Sequence, residues 1–202
     1  TGLNRKRDAF IVKFNSAGNF IWARSIGGSH QDYVSDISVN NSAVFITGNF
    51  NSPSLNIGST TLTNLNPTSW ERYLPFVAKF DTSGNPLWAK QGDAILSGLK
   101  SSRGKSVATD FTGNCYITGE FEGPSIVFDN HTLYNTDTVI GPSKIFVVKY
   151  NSAGVVIWSK TFATGSGSDR AMDIQTDGLT NVYVGGTFTD SVLINGQVIT
   201  SS

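Results

Sequence analysis

Sulfur is almost absent from this chain, which has one cysteine, Cys115, and one methionine among 202 residues. A single cysteine excludes an intramolecular disulfide and any zinc site built from cysteine pairs, so the redox compartment stays open. The only histidines, His30 and His131, occupy unrelated positions and form no metal-ligand pair. The sequence therefore predicts no metal site and no cofactor.

Charge of either sign is also scarce. Lysine plus arginine number 15 and aspartate plus glutamate number 15, so the net charge is zero. This balance argues against a nucleic-acid partner, which normally leaves a basic footprint. No apolar run approaches the roughly 20 residues of a membrane-spanning helix. The opening "TGLNRKRDAF" has no signal peptide, and we expect it to lie inside a longer protein.

The chain does contain one 15-residue segment that occurs three times with small changes. "FIVKFNSAGNFIWAR" (10–24) returns as "FVAKFDTSGNPLWAK" (76–90) and as "FVVKYNSAGVVIWSK" (146–160). Four positions are identical in all three copies: Phe10, Phe76 and Phe146; Lys13, Lys79 and Lys149; Gly18, Gly84 and Gly154; Trp22, Trp88 and Trp158.

The similarity extends past this phrase. "DISVNNSAVFITGNF" (36–50) matches "SVATDFTGNCYITGEF" (106–121) and "DIQTDGLTNVYVGGTF" (173–188), and a shorter echo follows each copy. Such a period is typical of solenoids, propellers and arrays. We therefore interpret 1–202 as one β-propeller repeat region without a second domain, with units at about 8–63, 74–134 and 144–200.

Local patterns predict an all-β fold. Short aromatic and β-branched runs are separated by turns such as "DTSG", whose glycine suits the left-handed residue of a hairpin. No ten-residue stretch has apolar residues at helical spacing. In "FIVKF", Phe10 and Phe14 lie on one face and Ile11 on the other, so both faces should be covered. With no helices available, the cover must be other sheets, as in a β-propeller.

The order "SVATDFTGNCYITGEF" followed by "LPFVAKFDTSGNPLWAK" resembles the bacterial β-propeller repeat family known as SBBP, and more distantly NHL-type blades. This resemblance covers nearly the whole chain. It implies that "SVATD" is the innermost strand, "CYITG" the second, and "FVAKF" with "NPLWAK" the outer pair, after an inserted hairpin. It also implies a place in large secreted or cell-surface bacterial proteins.

On that strand order, the chain begins with an outer pair (10–24) and ends with an inner pair plus hairpin (171–200). Between them lie two whole blades, at about 34–90 and 104–160. Joining the ends would give three blades, fewer than the roughly four to eight of known propellers. We expect a segment of a longer propeller or array, or copies that combine to close the ring.

The repeated lysines could form a ring of cations facing a ligand. Alternatively, each is structural, with its stem against an aromatic ring and its ammonium paired with a carboxylate. Identical placement in each unit favours the structural interpretation. The asparagine and aspartate turns supply one or two side-chain oxygens each, too few for a calcium loop, and turn chemistry accounts for them.

The aspartates form two equally spaced pairs, Asp32 with Asp36 and Asp169 with Asp173. Four residues of extended strand span about 13 Å, too far for a glycosidase pair. We expect them at strand ends, paired with the repeated lysines. Cys115 stands where the other units have Val44 and Val182, which favours a small hydrophobe over a catalytic thiol.

The segments that break the repeat are the candidates for binding. "LNPTSWERYLP" (65–75) places Trp70, Arg72 and Tyr73 in a polar connection, and exposed aromatics and arginine anchor interfaces. Trp70 folding back over a blade edge is an equal alternative. "RKR" (5–7) has no counterpart, and "LSGLKSSRGK" (96–105) adds three cations to an inter-sheet loop.

These observations predict a non-catalytic β-propeller module, and the resemblance to SBBP repeats implies that it belongs to a large secreted or cell-surface bacterial protein. It would act in adhesion or surface-fibre architecture, with protein or glycan partners bound through its loops and with possible self-association. The alternative is a hydrolase or lyase fragment with an active site near the central axis, because fold alone does not exclude an enzyme. An intracellular scaffold for protein partners differs mainly in compartment.

Overall fold

The structure, a computed structural model, describes residues 6–40, 42–65, 72–95, 101–135, 143–164, 169–179, 181–194 and 196–201. The first ten strands are β1 (Ala9–Phe14), β2 (Phe20–Ile26), β3 (Asp32–Val39), β4 (Ala43–Phe50), β5 (Ser54–Ile57), β6 (Thr60–Thr63), β7 (Leu74–Asp81), β8 (Pro86–Gln91), β9 (Asp93–Ile95) and β10 (Ser102–Thr109). The next ten are β11 (Cys115–Phe121), β12 (Ser125–Phe128), β13 (His131–Tyr134), β14 (Lys144–Tyr150), β15 (Val156–Thr161), β16 (Ala163–Thr164), β17 (Arg170–Thr176), β18 (Val182–Thr187), β19 (Ser191–Ile194) and β20 (Gln197–Thr200).

Four antiparallel sheets follow one another along the chain. Sheet I is β1–β2, sheet II is β3-β4-β7-β8, sheet III is β10-β11-β14-β15 and sheet IV is β17–β18. Small peripheral sheets contain the inserted hairpins β5–β6, β12–β13 and β19–β20. The all-β fold class is confirmed. The strand order that the resemblance implied is present in sheets II and III, where the hairpins β5–β6 and β12–β13 lie between the inner and outer pairs along the chain.

The sheets are out of phase with the sequence units. The outer pair β7–β8 opens a repeat phrase, yet it pairs through β4 with the inner strands of the preceding unit. The register is the same in both complete sheets, with Gly48 opposite Phe76 in sheet II and Gly119 opposite Phe146 in sheet III. Each complete sheet is therefore built from two sequence units.

The hairpin turns form as the sequence predicts. In the turn after β7, the side chain of Asp81 accepts hydrogen bonds from the backbone amides of Ser83 and Asn85, both at 2.8 Å. Asn15 and Asn151 do the same in the equivalent turns. The turn glycines Gly18, Gly84 and Gly154 have φ of +80°, a conformation that costs glycine little.

Sheets stack face to face around three apolar clusters. The cluster between sheets II and III contains Phe45 and Val77 from one side and Val107, Cys115 and Phe146 from the other. A second cluster joins sheet I to sheet II, and a third joins sheet III to Ile174 of sheet IV. This stacking places the inner strands β3, β10 and β17 side by side, as expected near the axis of a propeller.

The expectation that both strand faces are covered holds for sheets II and III and is wrong for sheet I. In β7, Phe76 and Val77 point to opposite faces and both are buried. In β1, Ile11 is buried, but the opposite face carries Phe10 and Phe14, which are exposed. Among the described residues, only one side of sheet I has a neighbouring sheet.

Each inner strand carries a β-bulge at the same place. The register shifts between Val34 and Asp36 in β3, between Gly104 and Ser106 in β10, and between Ala171 and Asp173 in β17. A bulge bends its strand and re-aims the side chains around it. The three residues that follow the bulges, Asp36, Ser106 and Asp173, consequently meet. Within the described ranges there is no helix that could cross a membrane.

Candidate binding surface

Of the three residues predicted to bind a partner, the structure describes two. Trp70 falls outside the residues that the structure describes. Arg72 and Tyr73 are described, and both are buried. The carbonyl of Arg72 accepts hydrogen bonds from Asn51 and Asn64, and the carbonyl of Tyr73 accepts one from the amide of Ser102 at 2.9 Å. This segment therefore joins sheet II to the start of sheet III.

Tyr73 takes part in a cluster that does reach solvent. Its ring lies 5.8 Å from that of Tyr33, and the hydroxyl groups of both tyrosines donate to the side-chain oxygen of Gln31. The guanidinium of Arg103 lies 5.5 Å from the centre of the Tyr73 ring, in cation–π geometry. We call these four residues (Gln31, Tyr33, Tyr73 and Arg103) the tyrosine–arginine cluster.

The tyrosine–arginine cluster presents neutral phenol rings and one positive charge. Burial, with Tyr33 as a neighbour, raises the pKa of Tyr73 to about 12, so its phenol stays neutral and keeps its proton. Arg103 and Lys105 lie 3.8 Å and 3.2 Å from the buried carboxylate of Glu120. The side chain of Arg103 is 35% exposed, so it presents positive charge beside the two rings.

Sequence reasoning named Tyr73 and the segment that contains Arg103, but it missed Gln31 and Tyr33. Arg103 and Lys105 were placed in an inter-sheet loop, but both belong to strand β10. The interpretation was wrong because the bulge after Gly104 hides the alternation of the strand. Tyr33 and Gln31 carry no local signal, since the first residues of an inner strand resemble any other strand start.

The inner-strand aspartates converge across the sheets. The hydroxyl of Ser106 lies 2.6 Å from Asp36 Oδ2 and 2.8 Å from Asp173 Oδ1. A hydroxyl has one proton, so Ser106 donates to one carboxylate at a time. The bond from Ser106 is the main cause that lowers the pKa of Asp173. The structure thus joins Asp36 and Asp173, which lie in different sequence pairs.

The predicted pairing of these aspartates with the repeated lysines is wrong. Asp32 is buried and accepts hydrogen bonds from the amide of Gly28 and the hydroxyl of Ser52, both at 2.7 Å. Asp169 is buried 3.8 Å from Lys144, which is not one of the repeated lysines. Both aspartates anchor the connections around the inner strands.

The repeated lysines and tryptophans contact the next sheet. Lys13 Nζ and the indole nitrogen of Trp22 both donate to the carbonyl of Thr82, at 2.9 Å and 3.1 Å. Lys79 and Trp88 donate to the carbonyl of Ser152 in the same way, at 2.8 Å and 3.1 Å. The partner of Lys13 and of Lys79 is therefore a backbone carbonyl instead of the expected carboxylate.

The expected contact between a repeated lysine and an aromatic ring is present at Lys79 and Lys149. The ammonium of Lys79 lies 5.3 Å from the centre of the Phe45 ring, and that of Lys149 lies 5.0 Å from the Tyr116 ring.

Cys115 is fully buried, and this burial raises the pKa of its thiol well above the usual range. His30 lies 3.3 Å from the carbonyl of Asn51 in a surface connection.

Comparison with known proteins adds one relative. An uncharacterized WD repeat-containing protein of Acanthamoeba polyphaga mimivirus is 29% identical over 205 residues, an alignment that takes in 93% of this chain. The chain is a β-propeller-type repeat protein. This β-propeller-type chain spans 14% of the length of that relative. No family model matches the chain.

Proposed function

We propose that the chain is a non-catalytic binding module that holds a protein or glycan ligand on its tyrosine–arginine cluster. The observation that supports this is the placement of Arg103 over the ring of Tyr73, which itself packs against Tyr33, where two inner strands begin. Rigid aromatic faces beside an arginine are the groups that carry most of the energy in interfaces. The WD repeat-containing relative supports a repeat module of this kind.

We further propose that the parent protein is a large secreted or cell-surface bacterial protein that acts in adhesion or surface-fibre architecture. The SBBP-type repeat pattern supports this location. Linked modules with weak individual sites would gain avidity from their number. The location is tested by detecting the parent protein in culture medium and on intact cells with an antibody against this region. Detection only inside the cell would contradict the proposal and favour an intracellular scaffold.

Binding is tested by titrating the labelled 202-residue chain over a glycan array and over immobilised bacterial surface protein fractions. Replacing Arg103 by alanine (R103A) removes the exposed charge and should weaken binding about tenfold, the loss of a modest hot spot. Lys160→Ala is the matched control, since Lys160 is an exposed cation on β15. Equal affinity of wild type and R103A would contradict the site, and no binding to any probe would contradict the ligand classes.

A hydrolase or lyase is the second candidate, favoured by the convergence of Asp36 and Asp173 on Ser106. Glycoside hydrolysis uses two carboxyl groups a few ångströms apart. This candidate is tested by screening the wild type and Asp173→Asn for cleavage of polysaccharides, either by hydrolysis or by lyase-type elimination. Activity in the wild type that Asp173→Asn abolishes would establish this candidate, and the same low background in both proteins would remove it.

A further inference from the structure

We propose that the chain has a second ligand site, which binds one neutral sugar ring where the inner strands β3, β10 and β17 end. The tyrosine–arginine cluster lies at the opposite end of these strands, since Tyr33 and Arg103 stand at the start of β3 and β10. Thr109, the last residue of β10, is six strand positions beyond Arg103, or about 20 Å away. The second site is therefore separate from the cluster and does not depend on the proposed function.

The first observation is a cavity of about 240 Å³ at these strand ends, which we call the strand-end cavity. It is lined by residues 38–39 of β3, by 108–109 of β10 with 111 in the following turn, and by 175–178 of β17 and its turn. Pockets that hold drug-sized ligands have about 300–1,000 Å³. The strand-end cavity is therefore suited to a single ring-sized group.

The second observation is an aromatic ring in the lining of this cavity. Phe111 lines the cavity and is nevertheless 77% exposed. Its amide donates to the carbonyl of Gly178 at 2.9 Å, which ties the turn after β10 to the turn after β17. A Cβ on Gly178 would lie 2.6 Å from the Phe111 ring, so the ring rests directly on the glycine. An exposed ring that is already held in place can stack on a ligand at little entropic cost.

Turn formation does not require an aromatic residue at this position. Asp110 and Asp177 begin equivalent turns, and the side chain of each accepts hydrogen bonds from the backbone amides two and four positions later. Phe111 follows the first aspartate, whereas Gly178 follows the second. Since the same turn forms with either residue, the phenylalanine is available for binding.

The third observation is unused hydrogen-bonding capacity. The hydroxyl oxygens of Ser38 and Thr109 lie 3.3 Å apart, so only one of their two protons can lie between them. In the described part of the chain, no acceptor is present for the other proton. The hydroxyl of Thr176, in contrast, donates to the carbonyl of Thr109 at 2.9 Å and accepts from the amide of Gly178 at 3.2 Å. The cavity thus offers a hydroxyl group that can bond to a hydroxyl of a ligand.

The charges of the lining favour a neutral ligand. Among the described residues that line the cavity, Asp177 is the only charged one. Its carboxylate accepts hydrogen bonds from the amide of Leu179 at 2.9 Å and from the side chain of Asn181 at 2.6 Å, so it serves its own turn. A sugar ring matches these surroundings, because its C–H face can stack on Phe111 while its hydroxyl groups both donate and accept.

Binding is tested by nuclear magnetic resonance, titrating the isotope-labelled 202-residue chain with neutral methyl glycosides of glucose, galactose, mannose and N-acetylglucosamine. We expect at least one glycoside to shift the amide signals of Thr109, Phe111 and Gly178, with a dissociation constant of about 1–10 mM for so small a ligand. No shift from any glycoside at tens of millimolar would overturn the proposal. Tighter binding of methyl glucuronide than of every neutral glycoside would overturn the neutral class.

The location of the sugar is tested with Phe111→Ala, which should weaken binding at least about tenfold, as the loss of an aromatic anchor does. Tyr134→Ala is the matched control, since Tyr134 is an aromatic residue on β13 that is 65% exposed. Tyr134→Ala and R103A should both leave the sugar affinity unchanged. Equal affinity of the wild type and Phe111→Ala would contradict the site. Loss of sugar binding in R103A alone would place the sugar on the tyrosine–arginine cluster and support the proposed function instead.

The position of the ring is tested with Gly178→Ala, which keeps Phe111 but places a methyl group against it. Gly18→Ala is the matched control, because Gly18 has the same φ of +80° and no described atom would lie within 4 Å of its Cβ. Both variants are compared where circular dichroism shows them folded. We expect Gly178→Ala to bind the sugar at least about fivefold more weakly than Gly18→Ala does, since the displaced ring loses its stacking position. Equal affinities would contradict the role of the held ring.

Discussion

The indole ring of Trp88 lies against Gly154 of the following sheet, so closely that a Cβ on this glycine would be 2.9 Å from the ring. The same indole donates its N–H to the carbonyl of Ser152, two residues earlier in the turn. Trp22 and Gly84 have the same relationship one sheet earlier. A repeated tryptophan thus binds a repeated glycine turn, and this contact fixes how successive sheets stack.

Replacing Gly154 by alanine should therefore be costly for two reasons. A residue with a Cβ is strained at φ of +80°, and the added methyl group would press on the Trp88 ring. We expect Gly154→Ala to lower the free energy of unfolding by about 3 kcal/mol in urea titrations, which combines strain with overpacking.

Gly113→Ala is the matched control for this variant. Gly113 has φ of +86° in a turn of the same kind, but its Cβ would meet Ser152 at an ordinary 3.5 Å. We expect a loss of about 1 kcal/mol there, from strain alone. Equal losses in the two variants would show that the tryptophan contact contributes nothing.

Lys79→Met should test the lysine contact. The variant keeps an apolar stem but loses the hydrogen bond to the Ser152 carbonyl and the attraction to the Phe45 ring. We expect a loss of about 1 kcal/mol in the free energy of unfolding, a typical value for such contacts. Lys160→Met, at an exposed position of β15, should change the stability little. If Lys79→Met leaves the free energy of unfolding unchanged, the contacts of the ammonium contribute no more to stability than its hydration in water does.

Acid should destabilise the turn that begins at Asp110. Burial alone would raise the pKa of this carboxyl, but hydrogen bonds from Thr112, Asn114 and Tyr116 outweigh burial and lower it. A lowered pKa stabilises the fold above the unfolded value of about 3.9, and this contribution disappears as pH falls through the folded value.

Asp110→Asn removes the titrating group and imitates Asn40, which begins the equivalent turn of sheet II. Urea unfolding between pH 2 and pH 7 should show a flatter acid limb for Asp110→Asn than for the wild type. Parallel pH profiles for the two proteins would refute the assignment of this carboxylate.

Cys115 should be silent toward thiol reagents in the folded protein. The thiol is fully buried, and burial raises its pKa, so almost no reactive thiolate is present or accessible. Labelling should proceed only after unfolding, measured by mass spectrometry with and without urea. Cys115→Val should cost less than about 1.5 kcal/mol, because valine is close in volume and the other units carry Val44 and Val182 here. Rapid labelling of the native chain would show that sheet III opens.

The sequence was sufficient for the fold because the signals repeat. Three copies of one pattern predict the turn type and the inserted hairpins, and the resemblance to SBBP-type repeats implies the strand order. The register is the same in sheets II and III. The glycine turns could be predicted because their conformation depends on local residues. Each turn residue binds backbone amides only two and four positions away, as Asp81 does.

The candidate site could be predicted only in part, because its contacts join distant strands. Tyr73 was recognised as a break in the repeat, but its neighbour Arg103 comes from another sheet. The meeting of Asp36 with Asp173 depends on Ser106, a residue 70 positions from one and 67 from the other. The lysine partners were assigned wrongly because a backbone carbonyl leaves no trace in the amino-acid sequence.

The phase offset between units and sheets determines what happens when the backbone is cut. A nick between β6 and β7 would leave β3–β4 on one fragment and β7–β8 on the other, although all four form sheet II. Neither fragment would then contain a complete sheet II, so the two fragments would be joined by the main-chain hydrogen bonds between β4 and β7. Strand pairing across the cut should therefore hold the two fragments together after the backbone is broken.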